Sequence, residues 1–196
     1  MAKRVFFSFH YQDVIDFRAN VVRNHWVTKE SRDIAGFFDA SLWESAKKDS
    51  PLSVKRLINS GLERTSTTCV LIGTNTWARP WVRYEIVASF RRENRMLGVH
   101  INSIAGKDQR TKALGVNPFE YLGVRFFNSG LTATLYEVVG SKWIEYTEYG
   151  PSATYQTGGV GCEHCGKFYK FSDLYNIFDW GRGDGYNNFA SWVENA

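Results

Sequence analysis

The chain has 196 residues, 43% of them hydrophobic and 22% charged, a balance that suits one globular domain of ordinary size with a true core and an appendage. Its 24 basic and 20 acidic residues leave a net charge of only +4, with no basic run denser than Arg91-Arg92 or Lys47-Lys48, so nucleic-acid binding has little electrostatic support. No apolar run approaches the roughly 20 residues a membrane-spanning helix needs.

Aromatic residues make up 16% of the chain, enough to fill a core, line a pocket or form an interface. At the N-terminus, MAKRVFFSFHYQD has basic residues before an apolar stretch, but the stretch is too short for a signal peptide and lacks a small-residue cleavage site. It reads as a first strand, Arg4 to Phe9. Helical spacing follows from Asp13, with Val14, Phe17, Val21 and Val22 on one side. DIAGFFD, residues 33 to 39, reads as a second short strand ending in an acidic loop at Asp39. Ser50-Pro51 then opens a helix with a capping residue and Pro at the first helical position, followed by Val54, Leu57, Ile58 and Leu62.

The stretch TTCVLIG, residues 67 to 73, is short, apolar and β-branched, as a buried central strand should be. Gly73, Asn75 and Pro80 punctuate the loop after it, and Pro80 suits the first turn of the next helix. In that helix Trp81 and Glu85 stand at i and i+4, one turn apart on one face, with Val82, Ile86 and Phe90 as the apolar stripe. A carboxylate held beside tryptophans there would be poorly hydrated and well placed to act on a ligand. The plain alternative is an exposed helix acid paired with Arg83, with Arg92 or with nothing.

Further on, 97 to 101 reads as a fourth strand and 102 to 118 as a mobile loop. Residues 121 to 127 read as a fifth strand, and 131 to 146 as a closing helix carrying Leu135, Val138, Val139 and Trp143. Strands alternating with helices imply a flavodoxin-like α/β fold, a mainly parallel sheet of about five strands with helices on both faces. The expected division is residues 1 to 148 as that domain and 149 to 196 as a Gly- and aromatic-rich C-terminal extension. In such sheets the ligand site lies beyond the carboxyl ends of the strands. Ser8, Phe9, His10 and Tyr11, then Asp39 to Trp43, then Thr74, Asn75 and Trp77 all fall at such ends. On sequence alone each ring reads as core or pocket, with Trp77 favoured for the pocket by its loop position.

FFSFHYQD, GFFDASLW, VLIGTNTWARPWVRYEI and MLGVHI together resemble the TIR-like proteins of the Thoeris anti-phage defence system, over roughly residues 1 to 146. That resemblance implies cleavage of the nicotinamide–ribose bond of NAD+ by a glutamate on the helix after the third strand, a position that Glu85 matches. It further implies a cyclic ADP-ribose isomer as a diffusible signal, made after phage infection, that activates a separate NAD+-depleting effector. Ser8 matches the small polar residue that ends the first strand of the pattern, and His10 extends it. Asp39 could contact a ribose or cap its loop. Trp43, Trp77, Trp81, Phe9 and Tyr11 are the rings that would exclude water. NAD+ is then the substrate and no resident cofactor is expected. The partners are the effector reached through the product, an unidentified phage trigger and a homo-oligomer, with no nucleic acid and no membrane. The resting state would be autoinhibited, with the extension or the 102 to 118 loop over the site. Gly73-Thr74-Asn75 is neither G-x-G-x-x-G nor a P-loop, so a dehydrogenase or kinase reading has no support.

The three cysteines are an odd number and fit a reducing cytosol. Cys162-Glu163-His164-Cys165 has C-x2-C spacing, yet zinc at Cys162 and Cys165 needs two further ligands. The segment is therefore read as an unmetallated turn, with zinc completed by another residue or by a second subunit as the alternative. The competing function class is a TIR scaffold that signals by protein–protein assembly, with Glu85 structural.

Overall fold

A computed structural model of the chain describes residues 3–28, 32–35, 40–147 and 152–196. In chain order the elements are β1 (Lys3–Ser8), α1 (Tyr11–Ile15), α2 (Arg18–Val27), β2 (Arg32–Ala35), α3 (Ala40–Asp49), α4 (Pro51–Leu62), β3 (Thr67–Ile72), α5 (Pro80–Arg91) and β4 (Arg95–His100). Then come β5 (Leu122–Phe127), β6 (Thr132–Val139), β7 (Lys142–Glu145), β8 (Thr154–Gln156), β9 (Phe168–Lys170), α6 (Phe171–Leu174), β10 (Ile177–Asp179) and α7 (Gly185–Glu194). Among the described residues no helix is long and apolar enough to cross a membrane.

The chain divides into two compact units, one made of Met1–Val116 with Asn176–Ala196 and the other of Asn117–Tyr175. This differs from a boundary at 148/149, because the last twenty or so residues return to the first unit. The first unit holds a five-stranded sheet in the order β10-β4-β3-β1-β2, parallel at every pairing. Its register aligns Phe7 with Cys69 and Cys69 with Leu97, so these side chains share one face with Val5, Leu71 and Val99. Ala19, Val22 and Trp26 of α2 and Phe189 and Val193 of α7 cover that face. The opposite face turns Ser8 and Thr68 toward α5, where they bond Glu85 and Ser89. Every residue of β3 is buried, as a central strand covered on both sides requires.

Local chemistry accounts for the helices that frame this sheet. The Ser50 hydroxyl accepts from Ser53 N–H at 3.2 Å and Pro51 occupies the first helical position of α4. Pro80 likewise occupies the first turn of α5, there without a side-chain cap from Arg79. The periodic run after Asp13 is broken in two: Phe17 sits at φ +67 between α1 and α2, and its ring is exposed. The acidic loop expected at Asp39 lies outside the described residues, and from Ala40 the chain is the helix α3.

Three expectations for the C-terminal half are corrected. Residues 122 to 127 do form a strand, but β5 belongs to an antiparallel sheet, β7-β6-β5-β9 with β8 also on β6, in the second unit. The expected helix over 131 to 146 is the β6–β7 hairpin. Pairing of Val139 with Lys142 leaves a two-residue Gly140-Ser141 turn, and Gly140 at φ +62 supplies the left-handed conformation such turns demand. The β-branched Thr132, Thr134, Val138 and Val139 favour the strand over the helix there. The fifth parallel strand comes from the supposed extension: β10 pairs with β4, and α7 follows it onto the sheet.

Candidate active site

Glu85 lies in the middle of α5, on the side that faces β1 and β3. Val82, Ile86 and Ser89 share that side, so the carboxyl is carried under the helix and is only 6% exposed. Ser8 Oγ donates to Glu85 Oε2 at 2.5 Å. Burial raises the Glu85 pKa to about 8, and the Ser8 hydrogen bond acts against that rise. Ser89 Oγ donates to the Glu85 carbonyl at 2.7 Å and shares a 2.8 Å hydrogen bond with Thr68 Oγ1. A polar seam therefore runs between α5 and the sheet where an apolar contact would be usual.

The loop after β3 is fixed by its own side chains. Thr76 Oγ1 accepts from Gly73 N–H at 2.9 Å. Asn102 Nδ2 donates to Thr74 Oγ1 at 3.1 Å and to the Ala113 carbonyl at 2.6 Å. Gly73 is required by its neighbour: a Cβ there would stand 2.3 Å from both oxygens of Asp13. Asp13 is buried, and burial lifts its pKa to about 6 against the pull of Lys112 and Arg18.

Among the residues named from sequence, Ser8 and Glu85 are brought into direct contact, and Thr74 joins the Asn102 anchor. His10, at the start of α1, has its pKa lowered by burial first and then by the charges of Arg79 and Lys47. Asn75 is exposed before the 3-10 turn Thr76–Ala78. Trp77 and Trp81 are half-buried, with Trp81 edge-on to Tyr84 at 6.0 Å. Tyr11 is 42% exposed. Phe9 packs against the core on the α2/α7 side of the sheet, away from the face that carries Glu85. Asp39 lies outside the described residues; Trp43 is within α3, and its side chain lies outside them as well.

Several groups at this end of the sheet escaped the sequence reading. Arg79 and Lys47 are 32 positions apart in sequence, and both bring their positive charge to bear on His10. Asp13 read as a helix residue, with nothing to signal its burial against Gly73. His100 closes β4 and pairs in register with Ile72 and Asp179; its pKa is lowered by burial, opposed by Asp179. Within the 102 to 118 loop, expected to be mobile, residues 104 to 110 are tied down. Arg18, itself buried, donates to the carbonyls of Ile104 at 3.0 Å and Arg110 at 2.7 Å, and its guanidinium meets Asp16 at 2.9 Å.

A fully parallel sheet with a buried carboxyl on the helix after its central strand, hydrogen-bonded to the hydroxyl ending the first strand, makes this an α/β domain with its candidate site at the carboxyl end of the sheet. The family described as "Thoeris protein ThsB, TIR-like domain" matches residues 6–105. A Bacillus cereus (strain MSX-D12) protein named "Putative cyclic ADP-D-ribose synthase ThsB1" is 55% identical over 194 residues, which is 98% of this chain and 100% of that relative. The chain belongs to the ThsB family of Thoeris TIR-like proteins.

Proposed function

We propose that this chain is an antiviral-defence enzyme that cleaves NAD+ at the nicotinamide–ribose bond and closes the remaining ADP-ribose into a cyclic isomer. Carrying the reading is one observation: Glu85, buried and hydrogen-bonded by Ser8 at the ligand-binding end of a parallel sheet, in a chain of the ThsB family. Nicotinamide leaves as a neutral molecule from a cationic ring, so bond breaking needs little general acid. What it needs is negative charge near the ribose as positive charge develops there. Glu85 supplies that charge once it ionises, and the approach of a cationic ring favours its ionised form.

Ser8 holds Oε2 in one orientation, so the carboxylate is aimed before substrate arrives. The cations that crowd His10, Arg79 and Lys47, suit the pyrophosphate. Trp77 and Trp81 suit the adenine, nicotinamide or ribose faces, and Thr74 and Asn75 the ribose hydroxyls. With water kept out, a hydroxyl or ring nitrogen of the same molecule attacks the anomeric carbon. That nucleophile loses one proton as the new bond forms. A carboxyl with a pKa near 8 is suited to accept it at neutral pH. The balance is NAD+ to nicotinamide, cyclic ADP-ribose isomer and one proton.

The product acts as a diffusible messenger to a separate effector in the cytosol, after a phage component triggers synthesis. The test is transfer. The small-molecule filtrate of phage-challenged cells expressing this chain is added to an extract containing the effector, and NAD+ is followed. Depletion by that filtrate, and none by filtrate from Glu85→Gln cells, supports the reading. If both filtrates are inert while both cultures are protected, the scaffold class replaces it.

A further inference from the structure

The C-x2-C turn of the second unit takes no part in the chemistry above, yet its geometry is that of a ligand-bearing knuckle. Residues Cys162–His164 form a 3-10 turn in which Cys165 N–H donates to the Cys162 carbonyl at 3.1 Å. A turn closed in this way holds its first and fourth Cα atoms within about 7 Å, so both thiols can reach one cation at the Zn–S distance of about 2.3 Å. The backbone around it is pinned. Gly166 N–H donates to the Phe126 carbonyl at 2.8 Å, and Cys165 bridges to Phe126 of β5. Gly166, at φ +74 with nothing within 4 Å of a Cβ position, reverses the chain immediately after the second thiol.

Both sulfurs are free thiols, Cys162 exposed and Cys165 half-buried. The neighbouring candidate ligands are turned to other partners. His164 Nδ1 meets the Tyr169 hydroxyl at 2.9 Å, its Nε2 lies 3.6 Å from Glu163, and its ring packs edge-on against Tyr169. The Glu163 carboxylate lies over Gly161, where a Cβ would stand 2.2 Å from both oxygens. Cys69 is buried within β3. Among the described residues no cluster of three or more His, Cys, Asp or Glu side chains is disposed to hold a metal.

We propose that Cys162 and Cys165 are one half of a tetrahedral Zn2+ site that the same two residues of a second copy complete. Structural zinc takes four protein ligands, and four thiolates are a common set. One chain offers two of them, Cys162 exposed and Cys165 half-buried, on a turn hydrogen-bonded to β5. A two-fold axis through the metal makes the two half-sites equivalent, as closed symmetric dimers require. The thiols lose their protons to solvent as the Zn–S bonds form, with no change in oxidation state. The inference does not depend on the NAD+ reading, and its test does not use activity.

The test is a Zn2+ titration of the full-length chain, freed of metal and kept reduced with a phosphine that does not bind zinc. Particle mass is read by light scattering and bound metal by elemental analysis. The expected result is one zinc per two chains, a twofold rise in particle mass over the metal-free protein, reversal by chelator, and a thiolate-rich tetrahedral spectrum when Co2+ replaces Zn2+. Cys162→Ser and Cys165→Ser should each lose both metal and mass change while melting as the parent does. One zinc per chain without a mass change would assign a site closed within a single copy and overturn the proposal. So would zinc uptake no greater than that of the Cys162→Ser, Cys165→Ser double variant, or a doubling that survives in that variant.

Discussion

At Glu85, burial and the Ser8 hydroxyl pull in opposite directions, and burial wins, leaving the carboxyl with a pKa of about 8 in place of its ordinary 4.5. Between those values the folded protein holds a proton that the unfolded chain releases. Folding stability therefore falls as pH rises through that window, by at most roughly 1.4 kcal/mol per pH unit, and levels off above it. Glu85→Gln should remove this slope, which urea unfolding at a series of pH values between 5 and 9 will measure. Chemistry needs the ionised form, so kcat/KM should climb with pH to a plateau above about 8. Ser8→Ala removes the hydrogen bond that favours the carboxylate. It should move the climb to higher pH and lower activity at pH 7 by roughly tenfold or more. A pH profile unchanged by Ser8→Ala would separate the two residues functionally.

Among the elements, those nearest the site were the most legible. The strand–loop–helix from Thr67 to Arg91 carried its own punctuation in Gly73, Asn75 and Pro80, and α5 begins where Pro80 placed it. The sequence left Glu85 open between a poorly hydrated place beside Trp81 and an exposed helix position, and the structure buries it on the side of Val82 and Ile86. What the sequence could not supply was the partner across the fold: Ser8 is 77 positions away, and no local pattern encodes that contact. The 102 to 118 loop shows the same limit. Its polar, Gly-containing composition suggests mobility, whereas its order comes from Arg18, far off in sequence, and from Gly115, whose Cα closes on the Gly73 carbonyl so tightly that a Cβ would stand 1.9 Å from that oxygen. Arg18→Met should loosen this loop, raising hydrogen exchange across 104–110 and costing on the order of 3 kcal/mol.

For the whole molecule, the β6–β7 hairpin and the return of the C-terminus are where sequence reasoning failed. Leu131 to Tyr146 contains apolar residues at spacings that fit either period, and the short Gly140-Ser141 turn that decides between them is easily passed over. The signal for α7 was present: Gly185, Phe189 and Val193 recur at i, i+4 and i+8 and are its buried residues. It was hidden because the Gly- and Asn-rich surroundings resemble a tail. Phe189 packs against Phe7, Trp26 and Trp180 at ring separations of 6.1, 5.4 and 5.5 Å. Phe189→Ala should accordingly cost roughly 3–5 kcal/mol, read as a lower denaturation midpoint with an unchanged m-value. A chain cut after residue 148 should fail to fold, since it loses both the edge strand and the helix over Val5, Leu71 and Val99.

Mass spectrometry of nucleotides from phage-challenged cells tests whether the Glu85 carboxyl makes a cyclic nucleotide from NAD+. The intact chain and Glu85→Gln are expressed to the same level, and the melting of each purified protein is recorded beside it. The expected result is a species with the mass of cyclised ADP-ribose, together with free nicotinamide, only in cells with the intact glutamate, and a variant that melts no lower than the parent. The same species at the same level in Glu85→Gln cells would contradict it and move the chemistry to another residue.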